Sequence, residues 1–236
     1  MEFKGKVVFL TGATRGIGQA IYATLISAGA TVIGSGTATI KPKEINEYYR
    51  ADFSALEDIY ECANYLRALQ PDILINNAGI NKNAPFVDID PEDFLRIQQV
   101  NLFAPFCLSQ AVIPGMKSKG WGRIVNVSSI WGKISKECRA TYSASKFALD
   151  GITLALALEH AADGILANCV APGFTDTELT REMLGEAGIA QLLAKVPIGR
   201  MARPEEIAKL IVWLASPENT YITGQNIAID GGFSRG

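Results

Sequence analysis

Histidine occurs once in this 236-residue chain, cysteine only four times, and neither sign of charge is in excess. A lone His160 cannot complete a histidine-rich metal site. It is also the only base available to a Ser-His-Asp triad, it follows an apolar helical stretch, and no G-x-S-x-G elbow accompanies it. Cys62, Cys107, Cys138 and Cys169 stand more than thirty residues apart without a CxxC pair, so they read as reduced, structural thiols; no metal is expected. Ser143-Ala144-Ser145-Lys146 has the S-x-x-K form, but the S-D-N and K-T-G elements of a penicillin-recognising hydrolase are missing. With a net charge of -2, nothing draws the chain to nucleic acid or to an anionic membrane, which leaves a small molecule as the expected partner. Long apolar runs are missing too. Only four consecutive apolar residues precede Thr11, too few for a signal-peptide core or a membrane span, so a cytoplasmic protein is expected.

What is present is a regular alternation of short and long segments. Val7–Leu10, Thr31–Gly34, Asp72–Asn76, Arg123–Ser128, Leu166–Ala171 and Asn226–Ile229 are candidate strands, and Tyr48–Ala51 is a weaker seventh. Most are apolar at consecutive positions, as strands covered on both faces are, and helical segments separate them. Candidate helices span 16–28, 55–69, 91–117, 140–161 and 204–215, with Pro91 and Pro204 where a first helical turn accepts proline. The pattern predicts one doubly wound α/β domain over 1–236, with a mainly parallel sheet of about seven strands. Only ten residues, Pro42 among them, lie between Thr37 and Tyr48, so an abbreviated connection replaces a crossover helix there.

Two motifs carry chemistry. The strand Val7–Leu10 opens through Thr11-Gly12-Ala13-Thr14-Arg15-Gly16-Ile17-Gly18 into a helix, which is the context a dinucleotide needs. Gly12 permits a tight turn, Gly16 lets the backbone approach a pyrophosphate, and Gly18 allows close helix–strand packing, while the helix amino terminus offers unpaired N–H groups. Thr14, Arg15 and Ile17 line the same turn. Farther on, Tyr142 and Lys146 are four residues apart and so lie one above the other on a helix face. Delivering a hydride to a ketone leaves an alkoxide that needs a proton, and a phenol with its ordinary pKa near ~10 supplies one poorly unless a neighbouring ammonium stabilises the phenolate.

Thr11–Gly18 fits the TGxxxGIG pattern of the short-chain dehydrogenase/reductase family at every fixed position, and Asn76-Asn77-Ala78-Gly79 resembles its NNAG motif. The resemblance extends over essentially the whole chain. It implies a Rossmann-type fold, oxidoreductase activity on an alcohol/carbonyl pair and a catalytic set of Asn101, Ser129, Tyr142 and Lys146. In it Ser129, thirteen residues before Tyr142, bonds the substrate oxygen, and Asn101 holds a water in the proton path. By the same resemblance Lys146 also holds the nicotinamide ribose, Asp52 and Phe53 flank the adenine, and Asn77, Ala78 and Gly79 border the cofactor. Pro172, Gly173, Phe174 and Thr175 form the loop over the nicotinamide, Thr177 meets the carboxamide, and 174–198 is the substrate lid.

Cofactor choice depends on the residues after the second strand. Gly34-Ser35-Gly36-Thr37 contains no carboxylate to accept from the ribose hydroxyls, whereas Arg15, Ser35 and Thr37 can receive a 2′-phosphate and Lys41 is near. NADP(H) is therefore favoured, with NAD(H) the alternative. Within the family the chain resembles the branch of 3-oxoacyl-carrier-protein reductases and sugar or sugar-acid dehydrogenases. The helix end Glu159–Asp163 lacks the arginine expected to meet an acidic carrier protein, and the loops carry Asn81, Lys82, Asn83, Trp131, Lys133, Lys136, Glu137 and Arg139. These favour a small polar hydroxy or oxo compound, with the oxoacyl thioester and a non-catalytic dinucleotide-binding protein as alternatives. Finally, Phe147 to Leu158 leaves no continuous polar face, so a second copy is expected to cover it as a dimer, and the resemblance implies a homotetramer.

Overall fold

The computed structural model describes residues 1–235 and, within them, the side chains of all but 179, 182–187 and 192. Its elements run β1 (Val7–Leu10), α1 (Gly16–Ser27), β2 (Thr31–Gly36), β3 (Glu47–Arg50), α2 (Leu56–Leu69), β4 (Ile73–Asn76), α3 (Pro91–Gln98), α4 (Ala104–Lys119), β5 (Gly122–Val127), α5 (Ala140–His160), β6 (Ile165–Pro172), α6 (Glu178–Leu193), α7 (Pro204–Ala215) and β7 (Asn226–Ile229). The seven strands form one all-parallel sheet in the order β3-β2-β1-β4-β5-β6-β7.

Consecutive apolar strand residues serve two layers at once. Val8, Leu10, Ile73 and Ile75 face α1 and α7, while Phe9 and Leu74 between them point into the opposite layer with α2 and α4. A strand buried on both faces has no polar alternation to show, because successive side chains point to opposite sides of the sheet. The connection from β2 to β3 has no helix. Instead the Asn46 N–H donates to the Tyr22 hydroxyl at 2.7 Å, the Tyr48 hydroxyl to the Ala38 carbonyl at 3.0 Å, and buried Ile45 anchors the segment in the core.

Two departures from the sequence expectation bear on function. The helix expected over 91–117 is interrupted by a π-helical turn at Gln99–Phe103, with Asn101 at its centre. The stretch 174–198, expected as a polar lid, contains α6; its Gly185 and Gly188 each disfavour helix by about 1 kcal/mol relative to alanine, which hides it from propensity. The visible signal is Thr177, whose hydroxyl accepts from the Thr180 N–H at 3.2 Å as an N-cap does.

A chain of polar side chains crosses the core beneath the sheet's carboxyl end. Asn76 donates to Asn126 Oδ1 at 2.8 Å, Asn126 donates to Thr153 Oγ1 at 2.8 Å, and Thr153 donates to the Leu149 carbonyl at 2.6 Å. Cys169 completes it, with Sγ 3.2 Å from Thr153 Oγ1. These bonds tie β4, β5 and β6 to α5. Asn126→Ala should strip buried partners from both Asn76 and Thr153 and lower stability by about 1–3 kcal/mol. Urea unfolding checks this through a lower midpoint at unchanged m-value; a loss under about 0.5 kcal/mol would show that the network is not fastening α5.

Candidate active site

The strand order reverses between β1 and β4, and ligands of open α/β sheets bind beyond the carboxyl ends of strands at such a point. The sequence-predicted residues converge there. Gly12 and Gly16 adopt φ of +65° and +53°, values that favour glycine. A Cβ on Gly18 would stand 1.9 Å from the Gly12 carbonyl oxygen, so helix and turn are in direct contact. Asn77 stitches this turn to the loop after β4: its amide donates to the carbonyls of Thr11 and Gly12 at 3.1 and 2.9 Å, while Thr11 Oγ1 accepts from the Asn77 and Ala78 N–H groups at 2.9 Å each. Arg15 is the N-cap of α1 in extended backbone and its side chain caps nothing, which leaves first-turn N–H groups open to an anion. Thr177 lies across the cradle, its Cγ2 3.2 Å from where a Gly16 Cβ would be.

At the end of β2, Ser35 Oγ is buried without a hydrogen-bond partner, Thr14 packs against Gly36, and Thr37 is exposed. Arg15 is exposed and, among the described residues, has no carboxylate partner. An orphaned hydroxyl, an open helix end and an unpaired guanidinium fit a phosphorylated dinucleotide. Lys41 does not join them, since its ammonium donates to the Asn46 carbonyl at 3.1 Å. Phe53 also departs from expectation. Its side chain is 5% exposed and packs in the α2–α4 core, so only its backbone can border an adenine. Asp52 accepts from the Ser54 hydroxyl and N–H, which hold its carboxyl below the usual range.

The chemical end is assembled from the π turn, β5 and α5. Asn101 is wholly buried; its Oδ1 accepts from the Ile80 N–H at 2.9 Å, and its Nδ2 donates to the Ile80 carbonyl at 2.9 Å and to Ser145 Oγ at 3.1 Å. Asn101 thereby clamps the loop after β4 onto α5. Ser129 follows β5 and accepts from the Trp131 N–H at 3.2 Å. Tyr142 is half-buried, and burial raises its phenol pKa while the Ser129 hydroxyl and Arg139 pull it down. Lys146 Nζ donates to the Val127 carbonyl at 2.8 Å and lies 5.6 Å from the Tyr142 ring centroid; burial lowers its pKa to about 8. Arg139 is thus a second cation beside Tyr142, one that sequence reasoning did not assign to the tyrosine, while Lys146 is anchored by the Val127 carbonyl.

Of the loop residues expected near a substrate, only some remain free to meet one. Lys82 is paired with Asp93, and Lys133 donates to the Asn226 carbonyl at 2.8 Å. Trp131, Phe174 and Phe233 form an edge-to-face cluster with centroids 5.1–6.2 Å apart, so the loop after β6 is joined to this aromatic wall through Phe174. Phe233 was missed because it lies nearly at the chain's other end. Pro172 ends β6, Gly173 abuts Asp230, and buried Thr175 bridges to Ala202. Most lid side chains from 179 to 192 lie outside the described residues. Among the described residues no cluster of His, Cys, Asp or Glu is arranged to hold a metal, and no helix is long and apolar enough to cross a membrane.

Residues 12–234 match the family model described as enoyl-(acyl carrier protein) reductase. The 3-oxoacyl-(acyl-carrier-protein) reductase of Pseudomonas aeruginosa is 38% identical over 244 residues, spanning 98% of both chains. Among solved structures, a protein described as an NAD(P)-dependent gluconate 5-dehydrogenase from Beutenbergia cavernae, with NADP bound at low occupancy, superimposes with a TM-score of 0.93 at 34% identity, covering 98% of each chain. A gluconate 5-dehydrogenase from Burkholderia cenocepacia in complex with NADP and tartrate gives 0.91 at 28% identity, covering 100% of this chain and 97% of that one.

Proposed function

Because the chain belongs to the short-chain dehydrogenase/reductase family of oxidoreductases, we propose that it interconverts a secondary alcohol and a ketone in a small polar compound of the sugar or sugar-acid type, with NADP(H) as cofactor. The observation that carries this reading is the convergence of Asn101, Ser129, Tyr142 and Lys146 beside the glycine cradle at the sheet's switch point. When bound, the dinucleotide gives or takes the hydride. Gly12, Thr14, Arg15, Gly16, Ile17 and Gly18 would hold its phosphates, with Arg15, Ser35 and Thr37 at the 2′-phosphate and Asp52 and the Phe53 backbone at the adenine. Asn77, Ala78 and Gly79 would line its middle, Tyr142 and Lys146 its ribose, and Pro172, Gly173, Phe174, Thr175 and Thr177 its nicotinamide end.

During reduction the Tyr142 O–H bond breaks as its proton passes to the carbonyl oxygen, and the Ser129 hydroxyl donates a hydrogen bond to that same oxygen. The Lys146 ammonium then stabilises the phenolate left behind. Arg15→Ala should weaken NADPH by about 1.5–3 kcal/mol, as expected for a lost charge-assisted contact, and weaken NADH far less. Fluorescence titration of both cofactors decides it: equal losses would remove Arg15 from the 2′-phosphate.

A second reading, reduction of 3-oxoacyl thioesters, is favoured by the identity to the Pseudomonas aeruginosa enzyme. Against it, the end of α5 presents Asp163, paired with Lys117 and His160 at 3.0 Å each, rather than an open basic patch for an acidic carrier. Purified protein assayed with NADPH against oxo-sugar acids, keto-sugars and 3-oxoacyl thioesters separates the two; exclusive turnover of the thioester would replace the first reading.

The chain should also assemble. Phe147, Leu154 and Leu158 are 47%, 46% and 75% exposed on one face of α5, an apolar stripe suited to a second copy in an isologous dimer, with a tetramer as the full assembly. Leu158→Lys should shift light scattering toward the monomer mass. A wild-type particle of 25.4 kDa at all dilutions, with activity unchanged, would eliminate the dimer.

A further inference from the structure

Arg139 is a half-buried cation with no acidic partner among the described residues, whereas Arg50, Arg96, Arg181, Arg200 and Arg203 all pair with carboxylates. It occupies the N-cap position of α5, three residues before Tyr142, and its guanidinium lies 5.5 Å from the Trp131 ring centroid. Trp131 itself comes two residues after Ser129 and packs on Phe174. The guanidinium is therefore held within the proposed site by an aromatic face on one side. Its one described side-chain hydrogen bond goes to Asn83 Oδ1, a neutral acceptor, which leaves most of its five N–H donors unassigned.

Two further observations point the same way. Asn83 Oδ1 also accepts from the Asn81 amide at 3.1 Å, while Asn81 Oδ1 is buried with no partner at all, an acceptor suited to a hydroxyl. Cys138, immediately before Arg139, adopts φ of +62°, a left-handed conformation that a non-glycine residue holds only when its surroundings require it. The chain is bent there, immediately before Arg139 at the N-cap of α5.

We propose that Arg139, supported by Asn83 and Trp131, is the seat of a substrate carboxylate, with Asn81 accepting from a hydroxyl of the same molecule. The substrate is then a polyhydroxylated oxo or hydroxy acid rather than a neutral sugar, an assignment that rests on the sugar or sugar-acid reading above. A planar guanidinium matches a carboxylate through two parallel hydrogen bonds, which a lysine ammonium cannot reproduce.

Arg139 also acts on Tyr142, so the test must separate binding from proton transfer. Arg139→Gln and Arg139→Lys are compared with wild type on an oxo-aldonate and on the keto-sugar in which a hydroxymethyl group replaces its carboxylate. Tartrate, which does not react, is titrated calorimetrically into each enzyme–NADPH complex. Arg139→Gln should lower the acid-to-neutral ratio of kcat/KM by roughly 10- to 100-fold, mainly through KM, and weaken tartrate to a similar degree. Arg139→Lys should recover only part of either loss. If kcat falls equally on both substrates and tartrate binds within twofold of wild type, Arg139 acts through Tyr142 alone and the carboxylate seat is overturned. A wild type that turns over neither sugar compound defeats the broader functional reading, and unchanged tartrate binding in the variants defeats the seat whichever substrate is turned over.

Discussion

Tyr142→Phe is expected to lower kcat by about 10²–10⁴-fold, the range for loss of a general acid–base group, while weakening NADPH far less. Only the proton-bearing oxygen is removed; the ring and the helix that carries it remain. Steady-state assays and a cofactor titration test it together, and retention of more than about a tenth of kcat would remove Tyr142 from the proton transfer. The pH profile sharpens the point. Burial raises the Tyr142 pKa, so the protonated phenol that reduction requires persists through neutral pH, whereas oxidation requires the phenolate and should speed up as pH rises. Lys146, lowered to about 8, loses its ammonium above that value, so reduction should hold level below pH of about 8 and decline beyond it.

Gly18→Ala should be nearly as damaging by an entirely steric route. The added methyl would stand 1.9 Å from the Gly12 carbonyl oxygen and 2.6 Å from Asn77 Nδ2, and the first of these is backbone that cannot swing aside. Either α1 moves outward or the turn opens, and both also strain the Asn77 hydrogen bonds that join the cradle to the loop after β4. Overpacking of about 1–3 kcal/mol is expected, with NADPH weakened by roughly 10- to 100-fold if the cradle takes up the displacement. Thermal unfolding and cofactor titration measure the two parts; unchanged values in both would mean that the contact relaxes freely.

The sequence made legible whatever depends on near neighbours. Most of the strands stand out because burial on both faces leaves unbroken apolar runs such as Val7–Leu10, whereas the edge strand Glu47–Arg50 carries no such run and is the faintest; Gly12, Gly16 and Gly18 or Tyr142 and Lys146 announce themselves by local spacing. What escaped depends on partners far along the chain. Lys82 and Lys133 looked available until Asp93 and the Asn226 carbonyl claimed them, and Phe53 looked like an adenine neighbour until its ring turned into the core. Asn76, Asn126 and Thr153 form one network across separations of 50 and 27 residues, which no local pattern encodes. Arg123 sits in a strand as a buried cation, donating to the carbonyls of Gly122, Gly164 and Asn219; burial lowers its pKa to about 10.

The π turn at Gln99–Phe103 has a meaning for anyone who would re-engineer this chain. It accommodates one residue more than an α-helix would, and each residue in a helix turns the face by about 100°. Deleting one residue between 99 and 103 would let α3 and α4 merge into a smoother, more regularly bonded rod. The same edit would rotate Asn101 away from Ile80 and Ser145, and so unclamp the loop after β4 from α5. An optimiser rewarded for regular backbone would choose that deletion, and the irregularity it erased would be the element that keeps the two halves of the site in register.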